Sequence, residues 1–175
     1  MTNESNITTD GAEEAEPMRI LRIATCKSLS QRSDLTFHVG CNDAGAISFR
    51  LWKNSGAGMH SQSWVRMTDV SEALSTPEGF TSSALMPLFE STSRNNAGFT
   101  LALILAEGLA ERSLDQRGTY RTANPVPFIA RVQSLIANGV NLDPDEAPEE
   151  SPSDIAPAVS KRGRPKKAEA IAVSA

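Results

Sequence analysis

Residues 35–53, LTFHVGCNDAGAISFRLWK, decide the fold class. Leu35, Phe37, Val39 and Cys41 recur at period two, and so do Ile47, Phe49 and Leu51. This spacing puts a strand's apolar residues on one face of a sheet, leaving Ser48, Arg50 and Trp52 on the other. Between the two runs lie Asn42, Asp43, Ala44 and Gly45, where Asn, Asp and Gly tolerate the positive φ of a tight turn. The stretch therefore predicts a β-hairpin, Leu35–Cys41 with Ala46–Lys53, one face of which is core. Upstream, Arg19–Cys26 predicts another strand, joined to the hairpin by the polar loop KSLSQRS. Downstream, NSGAG predicts a flexible hairpin loop. It lacks the Gly-Lys-Ser/Thr ending of a phosphate-binding loop. Gln62–Met67 then predicts a fourth strand, completing a four-stranded antiparallel meander.

The second half reads as helical. Asp69 is placed to cap a short helix through Leu74, because a carboxylate there accepts backbone N–H bonds. A Thr-Pro-Glu-Gly turn leads to a second short helix, Ser82–Glu90, bent or started late by Pro87. Over Phe99–Arg112, Leu101, Ile104, Leu105, Gly108 and Leu109 recur at helical spacing. Pro127–Asn138 puts Phe128, Val132, Leu135 and Ile136 on one stripe, with a proline at its start and Gly139 just past its end. The expected fold class is α+β: a four-stranded antiparallel meander followed by three to four helices on one face.

Charge is segregated along the 175 residues, and the net charge of -4 hides it. Residues 1–17 carry five acids and no Lys or Arg, a composition that cannot bury enough apolar area to offset ordering entropy. They are expected to form a disordered acidic tail. Residues 18–141, the expected folded domain, hold twelve Lys/Arg against nine Asp/Glu. Residues 142–160 begin with six acids and four prolines in LDPDEAPEESPSDIAP and read as an acidic, Pro-rich linker. Residues 161–175 form a basic tail, expected to be disordered, in which Lys161-Arg162-Gly163-Arg164-Pro165-Lys166-Lys167 places five cations in seven positions. Such a block attracts polyanions.

The order of residues in that block carries the chemistry. The minor groove of A·T-rich DNA is narrow, and narrowing concentrates negative potential that draws guanidinium groups in. Arg162 and Arg164 are suited to insertion. Gly163 between them, with no Cβ, lets the backbone approach the groove floor, where the amino group of guanine would intrude. Pro165 favours an extended Arg164. Lys161, Lys166 and Lys167 suit phosphates, with a contribution that is independent of sequence and weakened by salt. These seven residues resemble the AT-hook of the high-mobility-group A chromatin proteins, a resemblance that implies binding to A·T-rich duplex and says nothing of the preceding domain. One hook binds weakly, so a second contact or homo-oligomerisation is expected to raise occupancy.

On the strand pattern, the face opposite the core displays Thr36, His38, Arg50, Trp52, Trp64 and Arg66, with Arg22 as a further candidate. Indoles and cations on one surface are the chemistry of a single-strand platform, in which bases stack on rings and cations track phosphates. Four strands followed by a helix loosely resemble the transcriptional-coactivator and Whirly-type single-strand-binding folds. The alternative is that helices cover this face and bury both tryptophans, and burial of at least one is expected. Lys27 and Arg32 on the first loop are equally candidates for phosphate contacts.

Other classes fit poorly. Cys26, Cys41, His38 and His60 do not have zinc-finger spacing, and no nucleophile–base arrangement or cluster of acids marks a reaction centre. Neither catalytic nor metal residues are assigned, and no cofactor is expected. The longest apolar run is far short of the ~20 residues a bilayer crossing needs, and the amino terminus lacks the basic and apolar regions of a secretory signal. An intracellular protein is expected, at the nucleoid or in the cytoplasm if bacterial and nuclear if eukaryotic. Two functional expectations follow. The first is a non-catalytic DNA-binding protein, regulatory or architectural, using the hook. The second is a single-strand-binding or protein-interaction domain whose basic tail is only an electrostatic arm.

Overall fold

The computed structural model describes residues 17–76, 78–89 and 93–149. The acidic segment 1–16 and the hook Lys161–Lys167 lie outside the described residues. The chain forms strands β1 (Arg19–Lys27), β2 (Asp34–Cys41), β3 (Ile47–Asn54) and β4 (Val65–Arg66), paired antiparallel in the order β1-β2-β3-β4. Helices follow: α1 (Met67–Ala73), a 3-10 segment (Ser82–Phe89), α2 (Asn95–Ala106) and α3 (Val126–Ala137). An α+β architecture with a four-stranded antiparallel sheet is thus present.

The alternation in β2 does what its spacing requires. Leu35, Phe37, Val39 and Cys41 are fully buried. All but Leu35 join Phe49, Leu101, Ile104, Phe128 and Val132 in the main core between sheet and helices, while Leu35 packs in a smaller cluster with Leu51 and Ala102. Each large apolar side chain so buried contributes about 1.5–3 kcal/mol. At the β2–β3 turn the Asn42 side chain accepts the Ala46 N–H at 2.8 Å, and Gly45 takes φ +78°. The positive φ explains the glycine.

Two register slips reshape the sheet. In β1, Ile20 faces Gly40 and Arg22 faces Val39, so Leu21 is an extra residue. In β3, Leu51 faces Phe37 and Lys53 faces Thr36, so Trp52 is extra. A bulge of this kind breaks the alternation of sides. Arg22 therefore lies on the helix side, beside Val39, and not on the outer face where the alternation put it. Its guanidinium pairs with Glu107 at the end of α2, and Glu107 also pairs with Arg131 of α3. The Glu107 side chain is 1% exposed. Burial raises its pKa, opposed by the two guanidinium groups.

Several boundaries differ from the sequence reading for definite reasons. The fourth strand shrinks from Gln62–Met67 to Val65–Arg66, because Gln62 turns its side-chain amide onto the Trp52 carbonyl at 2.8 Å. Helix α1 leaves β4 directly at Met67, with extended Arg66 at its N-cap and no side-chain cap, so Asp69 sits in the first turn instead of capping. The segment containing Pro87 is a 3-10 helix. Helix α2 stops at Ala106, well before Arg112. Gly108, at φ +72°, donates its N–H to the Leu105 carbonyl, and Leu109 donates to Ile104, the double closure that ends a helix at a left-handed glycine. Gly139 closes α3 in the same way, donating to Ile136 while Val140 donates to Leu135. The chain beyond Gly108 becomes strand β5 (Ala110–Arg112), paired with β6 (Tyr120–Thr122).

The expected linker also begins differently. Asn141 accepts the Ile20 N–H at 3.3 Å through its side chain, and the Leu142 N–H donates to the Ile20 carbonyl at 2.8 Å. Glu149 donates its N–H to the Ile23 carbonyl at 2.8 Å, and its carboxylate accepts from Arg22 Nε at 3.1 Å. Residues 142–149 thus form a strap fastened to β1 at both ends, and the folded part runs past the expected boundary at 141.

The Arg22–Glu107–Arg131 network makes a direct prediction. Glu107→Ala strands a buried guanidinium and should cost about 3–5 kcal/mol in urea unfolding. The double variant Arg22→Met/Glu107→Leu removes both charges and should recover most of that loss.

Candidate nucleic-acid interface

The outer face of the sheet is built around an arginine between two indoles. Arg50 projects from the centre of β3, away from Phe49 and Leu51, and its guanidinium carbon lies 4.6 Å from the ring centroids of both Trp52 and Trp64. Each contact is a cation–π interaction. Trp52 comes from the β3 bulge, and Trp64 from the approach to β4. Trp64 lies over Gly40, where an added Cβ would fall 2.6 Å from its Cη2 atom and 2.7 Å from the Arg19 carbonyl. Only a residue without a side chain leaves that space.

His38, cross-strand from Arg50, lies beneath the stack. It is fully buried, its ring centroid is 5.1 Å from that of Trp52, and its Nδ1 accepts the Arg50 Nε–H at 3.0 Å. An accepting Nδ1 in a neutral ring places the proton on Nε2. The Pro144 carbonyl of the strap attracts that proton, but Nε2 has no partner of hydrogen-bond geometry among the described residues. Burial, and then the Arg50 charge, lower the His38 pKa from 6.5 to about 4. Desolvation also lowers the pKa of Arg50.

The β3 bulge adds a cation that alternation did not place here. Lys53, cross-strand from Thr36, shares the outer face with His38 and Arg50. Its Nζ lies 2.8 Å from Asp145 of the strap, and Trp52 Nε1 donates to the same Asp145 oxygen at 3.3 Å. Lys53 and Asp145 both remain exposed, with side chains 61% and 67% accessible. The bond from Lys53, then that from Trp52, lower the Asp145 pKa.

Arg50, Trp52, Trp64 and Arg66 therefore share one face, as their alternation suggested. Trp52 and Trp64 are half-buried and Arg66 is exposed. The helices take the opposite face, so the tryptophans are covered by one another's cation and by neighbouring loop and strap. Lys27 ends β1 and Arg32 lies in the β1–β2 turn instead, and Lys27 is paired with Asp34 at 2.5 Å. Sequence reasoning missed Lys53 and Asp145. The first depends on a bulge, and the second on where a proline-rich segment lies.

Elsewhere, a cavity of about 360 Å³ opens between that turn and α2, lined by Cys26, Lys27, Leu29, Leu105 and Arg112 among others. Burial pushes the Cys26 thiol up to about 12, which leaves it protonated at neutral pH. Among the described residues, no three His, Cys, Asp or Glu side chains gather as metal ligands, and no helix is long and apolar enough to cross a membrane. No family model matches the chain, and no curated protein or solved structure matches it.

Two predictions arise from this face. Between pH 6.5 and 4 the unfolded chain binds a proton at His38 that the folded protein resists, so the contribution of neutral His38 is full above the unfolded pKa and is lost as pH falls through this window. Urea melts should show a loss of at most about 3 kcal/mol from this group, and His38→Gln should flatten the slope. Gly40→Ala should displace Trp64 and cost about 1–3 kcal/mol, visible as a lowered Tm and a shifted tryptophan emission maximum.

Proposed function

We propose that this is a non-catalytic DNA-binding protein, regulatory or architectural, that engages A·T-rich duplex through Lys161–Lys167. The observation that carries the reading is the order Arg162-Gly163-Arg164-Pro165 with lysines on both sides. Two guanidinium groups separated by a residue without a Cβ suit a narrow, electronegative groove, and the flanking lysines suit its phosphates. The mildly basic folded domain supplies a second contact. Exposed Arg32 on the β1–β2 turn supports that role, since a weak module gains occupancy from a tethered neighbour.

The test is a gel-shift series at fixed salt on A·T-rich and G·C-rich duplexes. Arg162→Ala/Arg164→Ala should weaken A·T-rich binding by at least about tenfold and erase the preference. Replacing Lys161, Lys166 and Lys167 should instead weaken both duplexes alike and reduce the salt slope by about one per lysine. Unchanged affinity and preference in the double arginine variant would remove the hook from the account.

A further inference from the structure

We propose that the outer sheet face around Trp52 and Lys53 is a binding site for single-stranded nucleic acid, occupied in the free chain by strap residues 142–149, whose Asp145 carboxylate stands where a phosphate binds. The site is separate from the hook.

The Asp145 contacts are those of anion recognition. One oxygen receives an ammonium at 2.8 Å and an indole N–H at 3.3 Å, a pair of donors that suits a phosphate oxygen as well as a carboxylate. The same indole, half-buried and backed by Arg50, offers a ring for a base, and exposed Arg66 continues the cationic surface beyond Trp64. Bases of a duplex are stacked on one another and present no free face, so this arrangement selects unpaired nucleotides.

The strap is suited to leaving. Leu142 and Pro144 are its half-buried residues, while Asp143 and residues 145–149 are exposed, so little apolar surface is lost when it lifts. Segments with few buried contacts open at low cost. Beneath it, the Nε2–H of fully buried His38 meets the strap's Pro144 carbonyl only outside hydrogen-bond geometry, so the strap satisfies it poorly.

The experiment uses the full chain carrying Arg162→Ala/Arg164→Ala, so that the hook contributes nothing and the two readings fail separately. Oligothymidine of about fifteen nucleotides is titrated at low salt while tryptophan fluorescence is followed. Adding Asp145→Asn, isosteric and exposed, should tighten binding by about tenfold or more with quenching, and Lys53→Ala should abolish that gain. Asp115→Asn, the same charge change on another loop, should leave Kd within about twofold. Leu142→Gly, which loosens the strap but keeps Asp145, should also tighten binding and covers the case of an Asp145 variant that misfolds. The proposal is overturned if neither strap variant binds the oligonucleotide more tightly than the parent. It is equally overturned if polyglutamate binds the Asp145→Asn protein as well as oligothymidine does, since the face would then be an acidic-peptide site.

Discussion

A sheet has two faces, and this chain packs its helices on one. The constraint is sharpest at β2, where Phe37 and Val39 point into the helical core while His38, on the opposite side, is just as fully buried. Among the described residues, the second face is closed without a secondary-structure layer, by a guanidinium held between indoles, a tryptophan lying on a glycine and an eight-residue strap. A cover made of polar, cationic and acidic groups behaves differently from an apolar one. It excludes water by matching charges and hydrogen bonds, and among the described residues the match of His38 Nε2 to the Pro144 carbonyl falls short of hydrogen-bond geometry.

The two bulges decide what each face holds. An extra residue in β1 brings Arg22 to the helix side, where a buried carboxylate at the end of α2 meets it. Another in β3 puts Trp52 and Lys53 outward together. Arg22 then joins the two sides of the protein at the sheet edge, because it bonds Glu107 within and Glu149 on the strap. The closing of the outer face is thereby tied to the ion network that fastens α2 and α3 to the sheet.

The hairpin, the meander and both long helices were legible because period-two and helical spacing report burial directly, and turn glycines mark where the chain reverses. Gly139 was recognisable as a helix end, since it follows the last apolar position. Gly108 was not, because it falls in step with Leu101, Ile104 and Leu105 and its left-handed φ leaves no trace in the spacing. The hairpin of β5 and β6 was missed for a related reason, as three-residue strands are too short to show a period. On the outer face, alternation correctly grouped Arg50, Trp52, Trp64 and Arg66. It misplaced Arg22 and overlooked Lys53, since a bulge depends on how two strands pair and not on either strand alone. Composition read 142–160 as an acidic, Pro-rich linker, but Asn141, Leu142 and Glu149 bond to β1 at sites that composition does not encode.

The fastening of Glu149 to the Ile23 carbonyl fixes where the leash to the basic tail is anchored. Eleven residues intervene before Lys161, and a chain cannot exceed about 3.3–3.6 Å per residue, so Lys161 stays within a radius of about 40 Å of that anchor. With the strap lifted back to Val140, twenty residues intervene, and the radius grows to about 70 Å. Whatever holds the strap down therefore also limits how far Lys161 can stand from the folded sheet.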